Sequence, residues 1–97
     1  MAKVVYSPNA LDNLERAMLF LLEQDQGAAD RAVTAITTAV DMLSHHPLLG
    51  RQVAGEIREL VISYGKTGYV ALYRYVPAWS EVRILAIRHQ RELHYPR

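Results

Sequence analysis

Residues 57–89, IRELVISYGKTGYVALYRYVPAWSEVRILAIRH, contain three apolar segments that are separated by short turns. The segments are residues 57–64, 69–76 and 81–89, and all three are rich in β-branched and aromatic side chains. Such residues favour strands, whereas the glycines of GKTG and the proline of PAWS interrupt them. Because the connections are too short for a crossover, the three segments predict an antiparallel meander.

The residues before this meander predict one strand and two helices. VVY at 4–6 is a short strand, and Ser7 and Pro8 then supply a capping hydroxyl and a proline at the first helical position. Apolar residues recur at helical spacing in two runs, which are separated by a turn at Gly27 and end at Pro47. The apolar stripes comprise Leu11, Leu14, Met18, Leu21 and Leu22 in the first run, and Ala29, Val33, Ile36, Val40 and Leu43 in the second. We therefore expect an antiparallel helical hairpin.

Together these elements predict a single α+β domain over residues 1–97, in the order β-α-α-β-β-β. The helical hairpin is expected to pack on one face of a largely antiparallel four-stranded sheet, and residues 48–56 are expected to form a loop. Both faces of the strands at 69–76 and 81–89 are largely apolar, so we expect the face without helices to bind a partner. The alternative is that its tyrosines and aliphatic residues simply tolerate water, since much of any protein surface is apolar.

Composition and charge exclude several classes of protein. With 51% hydrophobic and 22% charged residues the chain falls outside the composition of disordered proteins. It has no cysteine, no apolar run of about 18 residues and no signal-like start, which predicts a cytoplasmic protein without a membrane span. Net charge is only +1, with −3 over residues 1–57 and +4 over residues 58–97, which argues against a surface that binds nucleic acid all round.

Titratable residues are concentrated in the C-terminal stretch 84–97, ILAIRHQRELHYPR. It could be the solvated end of a strand, a nucleic-acid contact or an active site. The His45-His46 pair does not predict a metal site, because adjacent helical residues point in different directions and no third ligand is near. No cofactor or metal is implied.

Three stretches carry a resemblance to a known family: PLLGR at 47–51, IRELVISYGKTGYVALYRYV at 57–76, and RILAIRHQRE at 83–92. Together they resemble the RelE/ParE superfamily of toxins from type II toxin–antitoxin modules. The resemblance implies a cytoplasmic toxin that inhibits growth and is neutralised by a cognate antitoxin, which folds as it wraps the toxin. A homodimer or a toxin–antitoxin heterotetramer is also implied. The candidate antitoxin contacts are Leu72, Tyr73, Tyr75, Leu85 and Ile87.

One branch of the superfamily, the RelE type, cleaves messenger RNA on the ribosome. Such cleavage needs a base, an acid and cations around one phosphate. The resemblance assigns these roles to His89, Arg91, Tyr95 and Arg58. The sequence departs from that branch at Val70, where RelE-type enzymes carry an arginine. It also lacks the lysines that those enzymes carry in their second strand.

The other branch, the ParE type, poisons DNA gyrase and needs no catalytic groups in the toxin. The two longer helices and the lysine-poor sheet favour this branch, in which a basic edge would contact the target. That edge comprises Arg83, Arg88, His89 and Arg91. Alanine at Arg88 and Arg91 is expected to weaken toxicity and to cost under about 0.5 kcal/mol of stability. A third alternative is a non-toxic interaction module whose exposed sheet forms homodimers.

Overall fold

A computed structural model of the chain describes residues 1–64 and 67–91, with the side chains of Tyr64 and Thr67 outside that description. It confirms the α+β class, with two helices on one face of a sheet. The elements are β1 (Lys3–Tyr6), α1 (Pro8–Leu22), α2 (Gln26–Asp41), β2 (Arg51–Ala54), β3 (Ile57–Tyr64), β4 (Thr67–Val76) and β5 (Glu81–His89), with single 3-10 turns at Met42–Ser44 and Pro77–Trp79. Neither helix in the described part of the chain is long and apolar enough to cross a bilayer.

The sheet has five strands in the order β1-β5-β4-β3-β2, so the expected count of four is wrong. Strands β3, β4 and β5 form the predicted antiparallel meander, whereas β1 pairs parallel with β5. The additional strand, β2, lies within the expected loop and pairs antiparallel with the start of β3. All four of its residues are exposed, so it lacks the apolar alternation by which a strand is recognised in sequence.

Helix α2 buries most of the apolar stripe predicted for it, whereas α1 is rotated about its axis relative to its predicted stripe. Ala10 and Asn13 are buried in α1, while Leu11 is 52% exposed and Leu22 40% exposed. The rotation follows from a hydrogen bond, because the Asn13 carbonyl oxygen accepts the backbone N–H of Ile87 at 3.0 Å. A buried strand amide needs a partner, and this requirement outweighs the gain from burying two leucines.

The core lies between the helices and the inner face of the sheet. Its largest fully buried side chains come from both layers: Ile36, Val40, Leu43, Tyr73, Val82, Ile84 and Ile87. Each such aliphatic side chain contributes about 1.5–3 kcal/mol through burial.

Helix α1 also closes the edge of β5 beyond the point where β1 ends. The pairing of β4 with β5 shifts register between Leu72 and Tyr73, which leaves Leu85 as the extra residue of a bulge. The Ser7 hydroxyl and the Asn9 amide donate to the Leu85 carbonyl at 3.1 and 3.0 Å. Polar side chains of the helix start thus replace a neighbouring strand and leave this stretch of edge without free groups for another chain.

Candidate functional site

The face of the sheet turned away from the helices, here called the outer face, carries most of the charged strand residues. Strand register places on it Lys3, Arg51, Arg74, Arg83, Arg88, Glu59 and Glu81, together with Val5, Ile57, Val61, Val70, Leu72, Val76 and Ala86. Its centre is closed: Val70 and Ala86 are each 4% exposed and Glu59 9%. The expectation of an open apolar face is therefore wrong at the centre of this surface.

An ionic cluster on Glu59 lies at that centre. Arg51 donates to the Glu59 carboxylate at 2.9 Å, and the guanidinium of Arg88 lies 3.8 Å from its other oxygen. The Arg88 side chain is only 18% exposed and also donates to the carbonyls of His89 and Gln90. Arg88 is therefore an ion-pair partner within the chain, and the expectation that it is a solvated surface residue is wrong.

Arg83 lies at one end of the outer face beside an exposed tryptophan. Its guanidinium carbon is 4.6 Å from the centre of the Trp79 ring, and its Nε donates to Glu81 at 2.6 Å. Arg74, directly opposite Arg83 in the register, pairs with Glu56 at 3.0 Å. These two arginines are held in place by the chain's own carboxylates.

His89 and Arg91 do not form the predicted pair on one strand face. Strand β5 ends at His89, and Arg91 lies in the following turn, where its N–H donates to His89 Nδ1 at 3.1 Å. The His89 ring meets Tyr69 edge-on, with ring centres 5.3 Å apart, and Tyr69 belongs to the core on the helix side. Tyr95, the remaining C-terminal candidate, lies outside the described residues.

Arg58 and Tyr73 fix the loop that precedes β2. Arg58 donates to the Gly50 carbonyl at 2.8 Å, and the Tyr73 hydroxyl accepts the Gly50 N–H and donates to the Pro47 carbonyl, both at 2.8 Å. Burial is the main reason that the pKa of Tyr73 is raised. A side chain at Gly50 would place its Cβ 2.5 Å from the Glu59 carbonyl, so only glycine fits here.

The catalytic candidates are consequently far apart. Arg58 pairs with Tyr73 across β3 and β4, whereas His89 pairs with Tyr69 across β4 and β5. Four residues along β4 and two strand spacings separate their backbones, or about 14 Å along the strand and about 10 Å across it. The Arg58 side chain is moreover tied to the 47–50 loop, away from His89.

The five candidate antitoxin contacts fall into two groups. Tyr73 and Ile87 are 0% and 1% exposed and belong to the core beneath the helices, so neither offers a surface and their assignment is corrected. Leu72, Tyr75 and Leu85 are partly exposed. Tyr75 packs on the helix side while Leu72 lies on the outer face.

Sequence reasoning missed Glu59 and did not resolve the position of Trp79. Glu59 is the one acidic residue of the strand segment 57–64 and is followed directly by the apolar residues LVI, and that position was the available signal. Trp79 lies in a turn, where no strand or helix periodicity indicates whether a side chain is buried. Its exposure of 65% is visible only in the structure.

Comparison with known proteins places the chain in a family. Residues 4–94 match the family described as ParE toxin of type II toxin-antitoxin system, parDE. Toxin RelE3 of Caulobacter vibrioides is 38% identical over 92 residues, which cover 95% of this chain and 98% of that protein. Toxin RelE1 and Toxin RelE2 of the same organism are each 34% identical, over 89% and 96% of this chain and 90% and 100% of their own lengths. The chain therefore belongs to the ParE toxin family of type II toxin–antitoxin systems, within the RelE/ParE superfamily.

Proposed function

We propose that this toxin acts in the cytoplasm by poisoning DNA gyrase and that a cognate antitoxin neutralises it. The observation that carries this choice is the separation of Arg58 from His89. Phosphodiester cleavage requires proton-transfer groups and cations within hydrogen-bonding reach of one phosphate. The backbones of Arg58 and His89 are about 14 Å apart along the strand direction, and Arg58 is bound to the Gly50 carbonyl, which argues against their acting on one phosphate.

The state of the arginines supports the same choice. Arg51, Arg74, Arg83 and Arg88 all form ion pairs with glutamates of the chain. A phosphate would have to compete with those carboxylates for the guanidinium groups of Arg51, Arg74 and Arg88. A binding surface for a protein target does not need free cations, because paired charges are common at interface rims.

Ribosome-dependent cleavage of messenger RNA remains the second candidate function. It is favoured by the names of the relatives, all three of which are called RelE. On this alternative the cleavage groups would include His89 and Arg91, with Tyr95.

For neutralisation we propose an antitoxin that contacts Leu72, Tyr75 and Leu85. Because Leu72 and Tyr75 lie on opposite faces of β4, one partner reaches both only by passing around the end of the sheet. Such wrapping is typical of segments that fold on binding. A toxin–antitoxin heterotetramer and a toxin homodimer are the alternatives for the assembly.

The choice of target is tested with purified protein in two assays. We expect inhibition of gyrase supercoiling and intact messenger RNA in a translating extract. Arg91→Gln should weaken the inhibition about tenfold, which corresponds to about 1.4 kcal/mol. The matched control is Arg16→Gln on α1, which removes the same charge from the helical layer and should change nothing. Codon-phased cuts in the extract, together with normal supercoiling, would favour the messenger-RNA alternative instead.

A further inference from the structure

The two layers of this molecule carry opposite charge. Six acidic and two basic residues give the helical region 8–41 a formal net charge of −4. The described outer-face positions carry five basic residues against Glu59 and Glu81, and the adjoining Glu56 brings the balance to +2. A negatively charged partner is therefore attracted to the outer face and repelled by the helices.

Trp79 stands at the end of that positive face on a rigid turn. The indole is 65% exposed, yet the turn that carries it is fixed by backbone hydrogen bonds. Ser80 N–H donates to the Pro77 carbonyl at 3.0 Å, and the Ser80 carbonyl accepts from Lys3 at 2.8 Å. Ser80 adopts a left-handed conformation with φ of 47°, which a non-glycine residue adopts only at a cost. A large exposed aromatic on a fixed backbone needs little ordering when a partner binds.

Arg83 is a prearranged donor next to this tryptophan. Its stacking on the indole and its Nε bond to Glu81 hold the guanidinium plane in one orientation. Within the described part of the chain no group accepts from its two Nη atoms. They are therefore available for a bidentate contact with a carboxylate, the geometry in which arginine binds most strongly.

Arg74 adds a second cation directly across the strand pair. Two arginines in that position repel each other, and this repulsion is offset because Arg74 pairs with Glu56 and Arg83 with Glu81. Half-buried Val5, Val76 and Ile57 flank the two arginines and supply apolar surface. Tryptophan and arginine surrounded by partly apolar surface are characteristic of protein interfaces, whereas nucleic-acid sites depend on many unpaired cations.

We infer that Trp79, Arg83 and Arg74 form a docking site for an acidic segment of a protein partner. Carboxylates of that segment bind the free Nη groups of Arg83 and share Arg74 with Glu56, while its apolar side chains lie against the indole. The site does not depend on whether gyrase or messenger RNA is the target, so its failure would leave that choice untouched.

The chain has a single tryptophan, so the fluorescence of Trp79 reports directly on this site. The probe is a 12-residue peptide of alternating glutamate and alanine, titrated into the purified full chain at low salt. We expect a saturable change in Trp79 emission that weakens as salt rises, because the contact is charged. The same length of alternating lysine and alanine should give no saturable change.

Variants assign the binding to these arginines. Arg83→Gln and Arg74→Gln should each weaken peptide binding at least fivefold, and Arg16→Gln, which removes one charge from the helical layer, should leave it unchanged. Circular dichroism melts establish that all three variants are folded. Equal binding by the arginine variants and the parent, or equal binding of both peptides, would overturn the inference. A stronger saturable response to a 12-nucleotide single strand of thymidylate would replace the acidic protein segment with nucleic acid as the ligand.

Discussion

The two faces of the central strands are closed by different forces, although their residues alternate along the same chain. On the helix side β5 contributes Val82 and Ile84, both fully buried against apolar neighbours. On the outer side the centre is built around the buried carboxylate of Glu59, which pairs with the largely buried Arg88 and the exposed Arg51. Apolar packing needs only shape, whereas a buried carboxylate needs specific partners. The centre of the outer face is thus closed without a second layer of helices, which a count of apolar residues alone does not anticipate.

The largest test of this comparison truncates one side chain on each face. Ile84→Ala should lower the free energy of unfolding by about 3 kcal/mol, because it leaves a cavity in a fully buried site. Leu72→Ala on the outer face is the matched control and should cost about 1 kcal/mol, since Leu72 is only half-buried. Chemical denaturation at constant pH measures both. Equal losses would show that the outer face is packed like the core.

A smaller effect is expected from removing a single hydroxyl on the helix side. Tyr73→Phe should cost about 2 kcal/mol, because the buried N–H of Gly50 and the Pro47 carbonyl lose their partner. Tyr6→Phe is the control, since none of the described residues, 1–64 and 67–91, forms a hydrogen bond with the buried Tyr6 hydroxyl. That change should be neutral or slightly stabilising at pH 7.

The Tyr6→Phe variant should also differ from the parent in how its free energy of unfolding depends on pH. Burial, followed by the charge of Asp41, raises the pKa of Tyr6 from its ordinary value of 10.0 to about 12. The folded state therefore favours the neutral phenol: the stability contributed by Tyr6 is fully present below pH 10 and is lost as pH rises towards 12. Tyr6→Phe should remove part of this alkaline loss. An unchanged alkaline profile would contradict the burial of this hydroxyl.

The smallest effect belongs to the outer ionic cluster. Glu59→Gln should cost about 1 kcal/mol, because the amide keeps the shape but loses the charge that faces Arg51 and Arg88. Glu56→Gln is the control. Its pair with Arg74 is solvent-exposed, so the change should cost under about 0.5 kcal/mol. Indistinguishable melting temperatures for the two variants would mean that the outer face is held by packing instead.

The sequence predicts those elements whose burial is reflected in apolar spacing. The second helix and the meander are such elements, but the bulge at Leu85 turns Ile87 into the core, and Tyr73 also faces the helices, so neither has its expected place as an antitoxin contact. The rotation of α1 was missed because Asn13 faces inward to serve a strand amide, a role that hydrophobicity cannot show. Strand β2 was missed because exposed residues between Gly50 and Gly55 read as a loop.

For the candidate site the sequence predicts the residue types but not their partners. Arg88 is a surface residue by composition, and only the register with β3 brings it to Glu59. Arg58 and His89 seem equally available in the sequence, yet the strand order separates them. Which charges are neutralised within the chain depends on pairings between residues far apart in sequence, and these require the assembled sheet.

The position of β5 between β1 and β4 also determines when this protein can finish folding. The first strand has no strand partner until residues 81–84 have been synthesised, and the bonds from Ser7, Asn9 and Asn13 wait for residues 84–87. A ribosome-bound chain interrupted before Glu81 would hold its helices beside an unfinished sheet. Completion of the native structure is therefore deferred until translation of the last strand, and any partner that recognises the finished sheet meets it only after that moment.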